Sequence, residues 1–339
     1  MALDDLWELA RRVSGARGLT AEHKQRLSRI VRKTPEVMVK VTGRSVGPGH
    51  LKAHLDYVTR NGTLRAIGGD GRVVETRPEL RGLHDEWVLK NELTTRRHDD
   101  KAASAVHIML SMPPKTNGDA VARAASAWAA NVLGDRYDYI VTRHDDQDHP
   151  HVHVTVRAVG TDGRRLRVDR ADLQQWREHF ATKLRERGID AEATPRKARG
   201  QHRRADRHEV RQLKERGILP RVETEAMREV LRETRAERKP ETKPWEERIE
   251  RRRENVLVAY AAHAAELDGG TDADRQLARD IRRFVDDMPV ARTRRQDLRA
   301  ELEAVLAQRR AAEGTREAPH IPEPTHHSTK IRHLDEPER

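Results

Sequence analysis

The chain contains no cysteine, which excludes disulfide frameworks, thiolate metal centres and cysteine nucleophiles. Aromatic residues make up only 3% and hydrophobic residues 35% of its 339 residues. That is too little for one core running end to end, so one compact domain with charged helices and a loose tail is expected. No apolar stretch approaches the ~20 residues that cross a bilayer, so no membrane insertion is expected. The opening MALDDLWELARR lacks a charged-then-apolar leader, and a cytoplasmic location follows as an expectation. Negative charge is in deficit as well: 56 Asp+Glu face 67 Lys+Arg, a formal net charge of +11. Such an excess points to nucleic acid as the partner, with an anionic membrane surface second.

Hydrophobic periodicity organises the first two thirds of the chain. Residues 1–34 read as a charged helical extension. EVMVKVT (36–42) alternates as a strand, and GPGH opens a helix over 48–59 that stops at Asn61-Gly62. A GGDG turn at 68–71 predicts a hairpin, and a helix is expected over 77–91 around Trp87. SAVHIMLSMPP (104–114) is a second strand, followed by an Ala-rich helix at 117–133. YDYIVTRH (137–144) and HVHVTVRAV (151–159) are two more strands. TDGRRLRV then forms a loop and short strand before a helix at 169–187. Strands and helices mix without a βαβ rhythm, which favours an α+β domain with a central antiparallel sheet flanked by helices. That domain is placed at 35–205. A charged helical region is expected over 206–313, and a Pro- and His-rich tail at 314–339 is expected to be disordered.

The chemistry is concentrated in HDDQDHPHVH, residues 144–153. In a strand, His151 and His153 share one face while Val152, Val154 and Val156 enter the core. A hairpin through DDQDHP brings His144 beside them. Three neutral imidazoles leave coordination positions open, which is the pattern of a catalytic metal centre and not of a closed structural one. Imidazoles suit Zn, Mn, Ni or Co better than Mg, so the ligands alone do not name the ion. Asp146, Asp148 and His149 are candidates to orient the ligand rings by accepting their N–H groups. Any one of these histidines fits a solvated hairpin. Three placed around a valine-alternating strand fit it poorly.

Of four tyrosines, Tyr57 is the candidate reactive one. His50, His54 and Tyr57 share a helix face beside the apolar stripe Leu51, Leu55 and Val58, so the hydroxyl lies at the stripe's edge. Taken alone, such a tyrosine serves packing more often than chemistry. A phenol beside a bound cation suits attack on a phosphodiester, because the cation offsets the negative charge of the phosphate oxygens. On the second strand, His107 and Ser111 lie opposite Val106, Ile108 and Leu110 and are candidates to contact DNA, although a solvated strand face explains both equally well. Arg164, Arg165 and Arg167 are candidate phosphate contacts, together with the segment 195–216, where nine Lys/Arg stand against three Asp/Glu.

Three segments in order resemble the motifs of MOB-P-class conjugative relaxases, the class that includes the nickase of T-DNA borders. They are VMVKVTGRSVGPGHLKAHLDYVTRNG (37–62), HIMLSMPP (107–114) and HDDQDHPHVHV (144–154). The resemblance covers about half of the chain. It implies a histidine-hydrophobe-histidine endonuclease fold and strand-specific nicking of single-stranded DNA at an origin of transfer. Carried over by position, Tyr57 becomes 5′-phosphotyrosyl, and His144, His151 and His153 hold a divalent metal, Mg or Mn by resemblance. Asp146, Asp148 and His149 support that metal, and Ser111 contacts DNA near the nick. Accessory relaxosome proteins and a type IV secretion coupling protein are implied as partners. Two other readings remain at this level: a DNA-binding accessory protein with a structural metal, and a hydrolytic metal nuclease.

Overall fold

The computed structural model describes residues 19–94, 102–201, 206, 208–236 and 242–314. The proposed N-terminal extension up to residue 18 and the tail from residue 315 lie outside the described residues. The chain divides into two compact units. One comprises residues 1–202 with 247–291, and the other residues 203–246 with 292–339.

The first unit is built on a six-stranded sheet in the order β1-β4-β6-β5-β2-β3. Its strands are β1 (Met38–Val46), β2 (Ala66–Gly68), β3 (Val73–Val74), β4 (Ala103–Ser111), β5 (Tyr139–His144) and β6 (His151–Arg157). Every neighbouring pair is antiparallel, as the irregular order of strands and helices predicts. β1 runs to Val46, past the expected end at 42, by absorbing register shifts after Val41 and Ser45 while still pairing with β4. β4 stops at Ser111, because Pro113 and Pro114 have no N–H for the ladder. TDGRRLRV forms a single bridge, Val159 to Arg165, and not a strand.

Strand alternation divides the sheet into two faces. Val106, Ile108, Leu110, Val152, Val154 and Val156 are buried on one face, beneath α4 (Gly118–Leu133) and α5 (Arg170–Arg185). Ala120, Ala124, Ala125 and Ala129 line the buried side of α4, and their small side chains let the helix axis approach closely. Trp128 fills the remaining space. Its indole N–H donates to the Trp176 carbonyl at 3.0 Å, and the two indoles meet edge to face. The other face carries α2 (Gly47–Val58) and α3 (Arg77–Thr94), which bury Leu51, Leu55, Leu80, Leu83 and Trp87 against Ala66, Ala105 and Ile140. Each such aliphatic side chain contributes roughly 1.5–3 kcal/mol on burial. β1 passes directly into α2. Gly47 takes φ 74° at that junction, where a side chain would be strained, and Pro48 follows in the first turn, where its missing N–H costs nothing.

A second core in this unit joins α1 (Ala21–Val31) to α8 (Pro244–Asp268) and α9 (Asp272–Asp286). Leu27 and Ile30 pack with Val256, Tyr260, Leu267, Ile281 and Phe284. The second unit contains α6 (His208–Glu215), α7 (Arg221–Arg235) and α10 (Arg294–Gly314). There the buried Arg295 bridges Glu246 at 2.7 Å and Glu233 at 3.0 Å. Among the described residues no helix is long and apolar enough to cross a membrane.

Candidate metal centre and active site

The polar face of β6 meets β5 where His144 pairs directly with His151. With His153 they form a cluster whose ring nitrogens lie within 4.8 Å of one another. All three are buried, at 2%, 3% and 8% exposure. Their hydrogen bonds settle which nitrogens are free to ligate. His144 Nε2 donates to the Val58 carbonyl at 2.7 Å, one of the carbonyls that the C-terminus of α2 leaves without a helical partner. His151 Nδ1 donates to the His149 carbonyl at 3.3 Å. That leaves His144 Nδ1 and His151 Nε2 with lone pairs, and both face the Asp146 carboxylate, at 3.9 and 3.7 Å. His153 Nδ1 is buried without a hydrogen-bond partner among the described residues. Lone pairs converging among buried imidazoles, with one nitrogen left unsatisfied, fit a divalent cation.

Burial, reinforced by His144 and His151, pushes the His153 imidazole down to about 4, so near neutrality it is in the uncharged form that binds metal. Two further histidines lie beside the cluster. His54 of α2 and His107 of β4 stack with ring centroids 3.3 Å apart. His54 Nε2 meets Thr155 Oγ1 at 3.0 Å. His107 Nε2 donates at 2.9 Å to Ser45 Oγ, which itself donates to the His50 carbonyl. Burial, with smaller contributions from His107 and His153, pushes His54 down to about 3, and burial pushes His107 down to about 4.

These shifts set an expectation for stability. An unfolded histidine titrates near 6.5, so between about 6.5 and 4 the unfolded chain binds protons that the folded chain refuses. Stability is fully present above that window and declines as pH falls through it. Urea midpoints of the metal-free protein should therefore be lower at pH 5 than at pH 7, as read by circular dichroism. Equal midpoints would mean that these imidazoles are not held neutral.

Tyr57 lies one helical turn beyond His54. The residue is 65% exposed, with its ring centroid 6.1 Å from that of His144 and 6.2 Å from that of His153. The other tyrosines are placed elsewhere. Tyr137 and Tyr139 are buried in the core on the opposite sheet face, and the buried Tyr260 donates its hydroxyl to the Ala198 carbonyl.

The remaining candidates are distributed unevenly. Ser111 pairs with His151 across β4 and β6, so the structure brings it beside the cluster. His107 is engaged with Ser45 and His54. Asp146 faces the lone pairs of the cluster and does not accept an N–H behind a ring. Burial opposes its charge, but its own backbone N–H and Arg60 hold its carboxyl below the usual range. His149 contributes its carbonyl. Asp148 is exposed, with no hydrogen bond or ion pair to the cluster among the described residues. Arg164, Arg165 and Arg167 follow the far end of β6. Arg165 donates to the Ala103 carbonyl at the start of β4, eight residues from Ser111, or about 26 Å at the ~3.3 Å rise of a strand. The structure does not bring them to the imidazoles.

Two nearby cations escape a sequence reading centred on histidines. Lys40 of β1 pairs with Met109, which in turn pairs with His153, so Lys40 shares the site face two strands away. Alternation against Val39 carries that signal. Arg60, three residues past Tyr57, reaches Asp146 at 2.6 Å. Nothing in the local pattern announces that contact.

Comparison with known proteins finds relatives over the segment that carries these residues. The family described as relaxase, MobA/VirD2-like, nuclease domain matches residues 71–189, a segment that holds the three imidazoles and Ser111 and begins after Tyr57. The T-DNA border endonuclease VirD2 of Rhizobium radiobacter is 28% identical over 183 residues, covering 47% of this chain and 43% of that protein. VirD2 of Agrobacterium fabrum is 28% identical over 184 residues, 47% of this chain and 41% of its own. The chain thus spans less than half the length of the curated relatives it matches. The relaxase domain of MobM, solved with origin DNA and Mn, overlaps 53% of this chain and 98% of its own at 16% identity, with a TM-score of 0.38. The nuclease-domain match and the VirD2 relatives agree: over somewhat less than half of its length the chain is similar to the MobA/VirD2-like relaxases and to the T-DNA border nickases.

Proposed function

We propose that the protein nicks one DNA strand at an origin of transfer, using Tyr57 as nucleophile and its 35–205 domain as the catalytic unit. The observation that carries this reading is the exposed Tyr57 ring, set 6.1–6.2 Å from two of three converging imidazoles. Tyr57 Oη attacks the phosphorus, the bond to the 3′ oxygen breaks, and that oxygen leaves as a hydroxyl once protonated. The product is a 5′-phosphotyrosyl ester. Because the ester replaces one phosphodiester bond with another, the step is reversible and the strand can be rejoined.

His144, His151 and His153 would hold a divalent metal, Mn or Mg. When bound, it supplies positive charge to the non-bridging phosphate oxygens. The residues around it fix the rest. Val58 and His149 orient two ring nitrogens through their carbonyls. His54 pins the tyrosine-bearing helix to β6 through Thr155. Ser111 lies beside His151 as a phosphate or base contact. The DNA would be single-stranded at the site, and in the cell it would be presented by accessory proteins and handed, covalently attached, to a secretion coupling protein. The cytoplasm is the compartment where this chemistry starts.

The test is direct. Labelled single-stranded origin DNA is incubated with the protein and Mn²⁺ or Mg²⁺, then denatured and run on a gel. A denaturation-resistant shift is expected. Cleavage without a shift would indicate hydrolysis, and salt-sensitive binding without cleavage an accessory DNA-binding protein.

A further inference from the structure

We propose that Arg60 grips the phosphate at the reacting tyrosine, and that Asp146 holds its guanidinium in place until DNA arrives. This rests on the nuclease reading above. The backbone supplies the first observation. Arg60 and Asn61 are consecutive non-glycine residues at φ 48° and 59°, a left-handed conformation that side chains with a Cβ adopt at a cost. The turn is held by its own bonds: Asn61 N–H to the Asp56 carbonyl at 2.7 Å, Leu64 N–H to the Thr59 carbonyl at 2.8 Å, and Gly62 N–H to Thr59 Oγ1 at 3.0 Å. From this turn the Arg60 side chain reaches Asp146, beside the imidazole cluster.

The second observation is what the guanidinium meets there. Arg60 Nη2 lies 2.6 Å from Asp146 Oδ2, while Asp146 Oδ1 lies 3.9 and 3.7 Å from the lone-pair nitrogens of His144 and His151. One small anion thus lies between the imidazoles and the guanidinium, bonded to the guanidinium alone. A phosphodiester offers the same relation, one oxygen toward the centre and another toward the planar fork of an arginine. Both members of the pair are about half exposed, so an incoming anion can replace the carboxylate. An exposed ion pair adds little to stability, and stability alone does not account for a turn this constrained. Arg60 is three residues from Tyr57, so a phosphate held by its guanidinium is held next to the nucleophile.

Phosphate contacts are blind to sequence, so the probe can be labelled oligothymidylate with Mn²⁺. Binding is measured by fluorescence anisotropy in a Tyr57→Phe background, where no adduct complicates it and where failure of the transesterification reading leaves the result standing. Arg60→Ala should weaken oligothymidylate binding about tenfold and lower the salt slope by about one. Mn²⁺ affinity, measured by calorimetry without DNA, should not fall, because Asp146 loses a competing cation. Arg60→Lys should restore the salt slope but not the full affinity. Unchanged affinity and slope in Arg60→Ala would overturn the proposal. So would parallel loss of oligothymidylate and Mn²⁺ binding, which would make Arg60 a brace for the loop and no more.

Discussion

Tyr57→Phe is expected to abolish the covalent protein–DNA adduct, with a loss on the order of 10⁴-fold or more, the scale that follows removal of a nucleophile. The fold should be untouched. The ring is mostly solvent-exposed, and the packing of α2 rests on Leu51, Leu55 and Val58, which are fully or almost fully buried. Binding of single-stranded DNA should persist, because the cations and the metal centre remain. The other three tyrosines cannot easily substitute. Tyr137 and Tyr139 belong to the core on the far face of the sheet, and the Tyr260 hydroxyl is spent on a buried carbonyl. An adduct persisting in Tyr57→Phe at the wild-type rate, mapped by peptide mass to another residue, would remove Tyr57 from the chemistry.

His151→Ala and His153→Ala should each weaken metal-dependent cleavage by more than the ~10–100-fold typical of losing an outer partner of a metal ligand, and chelation should do the same to the wild type reversibly. Neither imidazole carries a long-range hydrogen bond that the fold depends on. Among the described residues His151 hydrogen-bonds only the neighbouring His149 carbonyl, and His153 Nδ1 has no hydrogen-bond partner. His144 differs, since His144→Ala also strips the Val58 carbonyl of its donor and should lower the melting temperature as well as activity. Calorimetry with Mn²⁺ separates the two effects. Full cleavage in both alanine variants, or cleavage indifferent to chelator, would contradict the metal assignment.

Much of this architecture was legible in the residues. Valine alternation placed His151 and His153 on one face of β6, and the hairpin through DDQDHP placed His144 beside them. The i, i+4, i+7 spacing of His50, His54 and Tyr57 put the phenol at the edge of the apolar stripe. What escaped was set by tertiary contact. The Arg60–Asp146 pair joins residues 86 positions apart. The His54–His107 stack needs the docking angle of α2 on the sheet. The role of the Val58 carbonyl leaves no side-chain signal whatever. The packing of α8 and α9 was obscured by their charge, although Val256, Tyr260, Ala264 and Leu267 recur at helical intervals.

That packing carries a consequence for how the protein is made. Leu27 and Ile30 precede the side chains that cover them, which come from residues 256–284, beyond the intervening segment 203–246 that belongs to the other unit. A nascent chain can form its sheet and its imidazole cluster, and pair Arg26 and Arg29 of α1 with Glu178 and Glu192, well before α1 finds its apolar partners. Until the ribosome has released the later helices, that early helix must wait with its apolar side uncovered. Any shortened version intended for expression that stops near residue 205 would leave it so permanently.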